Sequence, residues 1–370
     1  MVFFKKNLKD SLLQKRSITR LHPRTLLWMG GALLCILLKE IIPGQFWDRW
    51  FYQGFFLLFR QTYDLLLGWS PLPMVYIIFS VIVVRTARWA GRWEKGWIYQ
   101  VSHAIGGISA MVTLFYLTWG FNYGQISLQD RLDFHFEKVT QEEIVMEFVR
   151  ATEVLKNEAA GLPENMRGDE SITTAPIDDH MLRPDVERAL SDLHMPSGGR
   201  VRVRQLWPKG LLLRLNTAGI YIPQTGEGHV DKGLLSVQKP FTIAHEMAHG
   251  YGVADEGACN FIAWLACSQS RDQWVRYGGA FTYWRYVAAE MPSDSVLKMM
   301  NTLPPVVTRS IALIKANDKR YPDFMPRARD AIYSSYLKRH GVKGGLRSYN
   351  EVVMMVTQYL DQSSEHIRPD

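Results

Sequence analysis

The apolar positions of this chain crowd into its first third. No charged residue occurs from Leu65 to Val84 or from Gly96 to Gln129, and each run is long enough to cross a hydrocarbon layer of about 30 Å. A shorter run, Leu26–Leu38, becomes a span once Lys39 snorkels and Ile41 and Ile42 extend it. The pattern therefore predicts three transmembrane helices, at about 25–42, 68–84 and 97–121. Tyr116, Trp119 and Tyr123 at the end of the third suit an interfacial aromatic belt. Between the first two spans, WDRWFYQGFFLLFRQTYDLLL (47–67) is too polar to span and too apolar for a free loop. It reads as an amphipathic helix lying on the outer membrane surface.

Charge orients these helices. Lys5, Lys6, Lys9, Lys15, Arg16, Arg20 and Arg24 precede the first span, and Arg85, Arg88, Arg92 and Lys95 lie between the second and third. By the positive-inside rule both segments face the cytoplasm, so everything after about residue 122 lies outside. Basic residues abutting apolar spans meet anionic lipid head groups, so the formal charge of +7 points to the lipid bilayer and away from nucleic acid. A cleaved signal peptide fits poorly, because the basic leader is long and no small-residue cleavage site follows the first apolar run. Three cysteines, Cys35, Cys259 and Cys267, imply no disulfide framework.

From about residue 124 the pattern becomes that of a mainly helical α+β domain with a small sheet. Thr140 and Glu143 make a capping box for a helix running to about Gly161. RVRVRQLW (200–207) alternates like a strand, and LLLRLNTAGIYIP (211–223) carries a second strand or a pair broken near Asn216 and Gly219. His229, flanked by glycine, reads as a solvated loop residue. Helical signals resume beyond residue 239 and continue to the end.

One of these helices carries chemistry. In FTIAHEMAHGYGVADEGACNFIAWLAC (241–267), His245, Glu246 and His249 form HExxH. Spacing of i, i+4 on a helix places both imidazoles on one face with the glutamate beside them, the arrangement of a catalytic zinc site. Such a site needs a third protein ligand and keeps one position open. Two acids compete for it. HExxHxxGxxD, through Gly252 and Asp255, has the metzincin layout with aspartate as third ligand. HExxH followed by ExxxN, through Glu256 and Asn260, has the gluzincin layout, with the ligand and a polar supporter of a histidine on the next helix. Local physics leans toward Glu256, because Asp255 is a good N-cap for a helix whose apolar face is Phe261, Trp264 and Leu265. Glu246 is then the general base. Tyr349 is the expected oxyanion stabiliser, and His340, beside Lys338 and Arg339, reads as surface.

Four stretches, TWGFNYG (118–124), GIYIPQTGEGHVD (219–231), the motif region itself and YSSYLKRHGVKGGLRSYNEVV (333–353), together resemble an uncharacterised bacterial family of multipass membrane proteins known only as a domain of unknown function. The resemblance implies three spans and an extracytoplasmic gluzincin-type zinc metallopeptidase domain in the bacterial cytoplasmic membrane. It also favours Glu256, since that family keeps an acid there, whereas the residue matching Asp255 need not be one. Cys259, where alanine is usual, and Gly257 depart from it without removing a ligand. In zinc peptidases of this type a strand such as GIYIP forms the sheet edge that pairs with an extended peptide. The expected organisation is a basic segment (1–24), a membrane domain (25–123) and a catalytic domain (124–370) hydrolysing a peptide or protein substrate with one Zn2+. The alternative is a zinc-stabilised receptor or scaffold without catalysis, which would have no need of Glu246.

Overall fold

The computed structural model describes residues 21–133, 140–324, 326 and 348–365. They are mostly helical, with one three-stranded sheet, and fall into two compact units. One comprises the described residues up to Tyr52, Met74–Gln125 and Pro223–Thr225; the other comprises Gln53–Pro73, Ile126–Ile222 and Gly226 onward.

In the first unit, helices Pro23–Ile41 and Trp97–Thr118 pack against each other through small and hydroxyl-bearing residues. The Thr25 hydroxyl donates to the Ser102 carbonyl at 3.1 Å. A Cβ on Gly106 would meet Thr25 Oγ1 at 2.9 Å, and one on Gly31 would meet Thr113 at 3.3 Å. The large apolar side chains point outward: Leu26, Leu27, Leu33, Leu34 and Leu37 on one helix, Ile108, Met111, Leu114 and Leu117 on the other, are exposed. Trp97–Thr118 is long and apolar enough to cross a membrane, and Pro23–Ile41 with Gly44–Leu67 counts as a second if the bent pair is one broken span. The second expected span corresponds to Met74–Ala90, 17 residues or about 26 Å of helix, somewhat short of a full crossing.

The second unit is built around the sheet, in the order β1–β3–β2, with β1 (Arg202–Leu206) parallel and β2 (Gly219–Ile222) antiparallel to β3 (Glu227–Asp231). Both expected strands are present. The central one was not expected, because EGHVD has a single apolar side chain, Val230, and no alternation. It is nonetheless fully buried, and its polar groups are engaged. Glu227 lies 3.4 Å from Arg204 Nε and 3.8 Å from Arg202 Nε. Asp231 accepts from the backbone N–H groups of Gly210, Leu212, Leu213 and Gly233 at 2.6–3.2 Å. His229 is buried too, so the reading of a solvated loop histidine is corrected. Burial, and then Arg204, push its imidazole down to about 4, which keeps it neutral.

The Phe56–Leu67 helix belongs to this second unit, and its amphipathic character is oriented oppositely to that of a helix with its polar side in water. Arg60 is buried, bonded to the Gly226 carbonyl and to Asp64, while Asp64 accepts from the Arg200 N–H at 2.6 Å. Leu58, Leu65 and Leu66 are exposed. The polar face thus holds the sheet. The helix Gln141–Ala160 begins on the expected Thr140–Glu143 capping box.

Candidate metal centre

The helix Lys239–Gly250 packs across the sheet so closely that glycine is needed opposite it. A Cβ on Gly228 would lie 2.8 Å from Glu246 Cβ, and one on Gly250 would lie 2.3 Å from Val201 Cγ1. Gly252, at φ +94°, turns the chain out of that helix. Asp255 then caps the next, Glu256–Ser268, accepting from the Ala258 N–H at 2.7 Å. This second helix is buried from Gly257 to Cys267, so the groups on its first turns are held rigidly.

These two helices bring His245, His249 and Glu256 together. Glu256 Oε2 lies 3.3 Å from His245 Nε2 and 3.6 Å from His249 Nε2, and one ligand atom from each residue lies within 4.8 Å of the others. Donor atoms around a tetrahedral zinc at its usual bond lengths stand about 3.4 Å apart, a spacing that the two Glu256–histidine distances match. The Nδ1 atoms face away, to Asn260 Oδ1 at 2.9 Å and to the Val253 carbonyl at 2.8 Å. Two acceptors there fix the Nδ1–H tautomer and leave each Nε2 lone pair for a cation. Cys259 Sγ sits 3.3 Å from His249 Nδ1. Burial pushes its thiol up to about 12, against the pull of His249, so it stays neutral and is a packing neighbour.

The electrostatics match the geometry. Burial alone would raise the Glu256 carboxyl, but His249 and His245 outweigh it and hold the group well below the usual range. Glu256 is nevertheless half-buried, which leaves the centre a face toward solvent. Glu246 is different. Burial, with Glu256 adding and the two histidines opposing, pushes its carboxyl up to about 7. Among the described residues its buried Oε2 has no hydrogen-bond partner. Its Oε1 lies 2.6 Å from where a Cβ on Gly219 would stand, so β2 runs directly over it.

Residues 51–357 match the family model described as "Protein of unknown function (DUF3810)". The chain belongs to this DUF3810 family. No curated protein and no solved structure matches it, so family membership carries no activity with it. Of the expected site residues in this DUF3810 chain, His245, His249, Glu256 and Asn260 converge, and Glu246 lies beside β2. Asp255 is occupied at the helix cap. Tyr349 lies in the helix Ser348–Glu365, but its side chain is outside the described residues, as are Lys338, Arg339 and His340. Sequence reading missed Glu351. This residue and Asp255 both come within 3.2 Å of the position a Gly257 Cβ would take, which explains a glycine one residue after Glu256. Burial, and then Asp255, push Glu351 up to about 7.

Proposed function

We propose that the chain is a membrane-anchored zinc-dependent metallopeptidase of gluzincin type. The observation that carries this reading is the convergence of His245, His249 and Glu256 next to a buried glutamate whose second oxygen has no partner among the described residues. A zinc ion on the three ligands would supply Lewis-acid activation of water and of the scissile carbonyl. Glu246 supplies the base. Its raised proton affinity and unpartnered oxygen suit a group that takes a proton from the attacking water and gives it to the leaving amine. Asn260 and the Val253 carbonyl keep the histidines oriented.

The sheet supports a peptide as substrate. Among the described residues β2 is an edge strand, paired with β3 on one side, and Gly219 on it lies against Glu246. An extended peptide adding to that edge would lay its backbone beside the base. Membrane attachment with three helices is part of the same reading. It is supported by the first unit's exposed leucines and small, hydroxyl-bearing helix contact, an arrangement suited to lipid. The basic segments then place the catalytic unit outside the cytoplasm.

The test uses the full-length protein in detergent: bound zinc, and cleavage of a broad quenched-fluorescent peptide library. One zinc per chain, with cleavage abolished by Glu246→Gln, is the expected result. Zinc binding without cleavage would instead favour a zinc-stabilised scaffold.

A further inference from the structure

The sheet is covered on both faces by helices of different character. On one face Gly219 and Gly228 turn the positions of their missing Cβ atoms toward Glu246. Successive strand residues alternate between faces, so Arg202, Arg204 and Glu227, out of phase with the paired Val203 and Gly228, point to the other face. The segment from Arg60 to Ser70 covers that face. Arg204 donates to the Ser70 carbonyl at 2.8 Å and Arg202 to the Gly68 carbonyl. Arg60 holds the Gly226 carbonyl, and Asp64 the Arg200 N–H.

Arg60 and Asp64 are the charged residues of 56–72, and both are therefore committed inward. Left outside are Leu58, Leu65, Leu66, Trp69 and Leu72, each more than half exposed; Gln61 and Thr62 are the polar side chains beside them. Trp69 spends its indole N–H on the Leu66 carbonyl at 2.7 Å, so its ring adds only apolar surface. A helix with such an outer side, uncharged and rich in leucine and tryptophan, lies at the boundary between lipid head groups and acyl chains. A water-soluble partner would instead be met by a polar, charged rim. The chain supports lipid as the occupant, because Pro73 leads at once into Met74–Ala90, which exposes Ile77, Phe79 and Val81.

This arrangement fixes a height for the metal centre. Glu246 lies against one face of the sheet, and a helix about 10–12 Å across covers the other. The exposed leucines thus stand roughly 15–20 Å from the base, a gap that about five or six residues of extended chain cross. Resting on the peptidase reading, we propose that the outer side of the Phe56–Leu67 helix seats the metal-bearing unit on the bilayer, and that its substrate is the membrane-proximal stretch of a membrane-anchored protein. An extended segment that leaves the lipid reaches the β2 edge within a few residues, whereas a soluble peptide has to find that edge from bulk water.

The experiment uses the full-length, zinc-loaded protein in vesicles of phosphatidylethanolamine and phosphatidylglycerol. Spin labels are placed by Leu58→Cys, Leu65→Cys and, on an exposed position of the same unit, Ser191→Cys; the native cysteines are buried. Labels at 58 and 65 should be relaxed by oxygen and shielded from a water-soluble nickel chelate, with the reverse at 191. The best-cleaved library sequence is then offered free, or tied to a single transmembrane helix by a spacer of about five or about 25 residues. The short-spacer form should be cleaved about 10²-fold faster than the free peptide at equal low concentration, and about tenfold faster than the long-spacer form. Leu58→Gln, Leu65→Gln and Leu66→Gln together should keep zinc and free-peptide cleavage and lose the short-spacer preference. Nickel-accessible labels at 58 and 65 overturn the seat, and spin–spin broadening between copies there assigns the face to a second chain and overturns lipid as its occupant. Equal cleavage of free and tethered forms overturns the substrate class while the peptidase reading stands. Lipid-exposed labels on a protein that cleaves no form overturn the peptidase reading, and the substrate class with it, while the seat stands.

Discussion

Replacing Glu256 and Asp255 one at a time by alanine separates two acids that are adjacent in sequence and unequal in space. Glu256 Oε2 stands 3.3 and 3.6 Å from the two imidazole nitrogens, so on the proposed reading Glu256→Ala removes one of three ligands. Loss of a residue that merely supports a ligand costs about 10–100-fold in metal affinity. Asn260→Ala, which removes the partner of His245, should fall in that range, and Glu256→Ala should lose more. Asp255 instead accepts from the Ala258 N–H at 2.7 Å, and losing such a cap costs about 0.5–2 kcal/mol. In a unit of this size that is a fall of roughly 1–8 °C in melting temperature. The lower half is expected, because burial disfavours the Asp255 carboxylate and the neighbouring Glu256 charge adds to this, so removing it relieves part of the loss. The assay strips each variant of metal, reloads it against a chromogenic chelator at graded free zinc, and records a melt. The expected order of zinc affinity is Asp255→Ala near wild type, then Asn260→Ala, then Glu256→Ala. Zinc lost from Asp255→Ala and kept by Glu256→Ala would refute the assignment of Glu256 as ligand.

Three further outcomes follow from the same geometry. Glu246→Gln should retain zinc and lose about 10²–10⁴-fold in peptide hydrolysis; unchanged turnover would remove Glu246 from the chemistry. Gly219→Ala places a Cβ 2.6 Å from Glu246 Oε1 and 2.9 Å from the His229 carbonyl, and backbone cannot yield as a side chain can. It should cost about 1–3 kcal/mol in stability and leave zinc bound, whereas a melt identical to wild type would show that β2 gives way freely. Glu351 binds its proton more tightly folded than unfolded, with its carboxyl at about 7 against an ordinary 4.5. Stability of the zinc-free protein should therefore fall as pH rises from about 4.5 to about 7 and level off above. Glu351→Gln should flatten that slope, and melts at pH 5 and pH 8 that fall equally in both proteins would refute the role.

The sequence by itself determined whatever is local. Spacing of i, i+4 put His245 and His249 on one helical face, the Thr140–Glu143 box started its helix, and Asp255 announced the cap of the helix that begins at Glu256. Alternation marked β1 and β2, and the charge-free runs marked the helices of the first unit. Only the tertiary structure decided β3 and what Arg60 holds. A buried polar strand such as EGHVD has no apolar period to betray it. Glu227 and Asp231 are tolerable inside because arginines and loop N–H groups from elsewhere meet them. Arg60 lies 166 residues before the Gly226 carbonyl it holds, and nothing in its own helix separates a charge bound for a sheet from one bound for water. Such pairings are fixed by the cost of leaving buried charges and carbonyls unmet, which acts across the folded chain and leaves no mark on local periodicity.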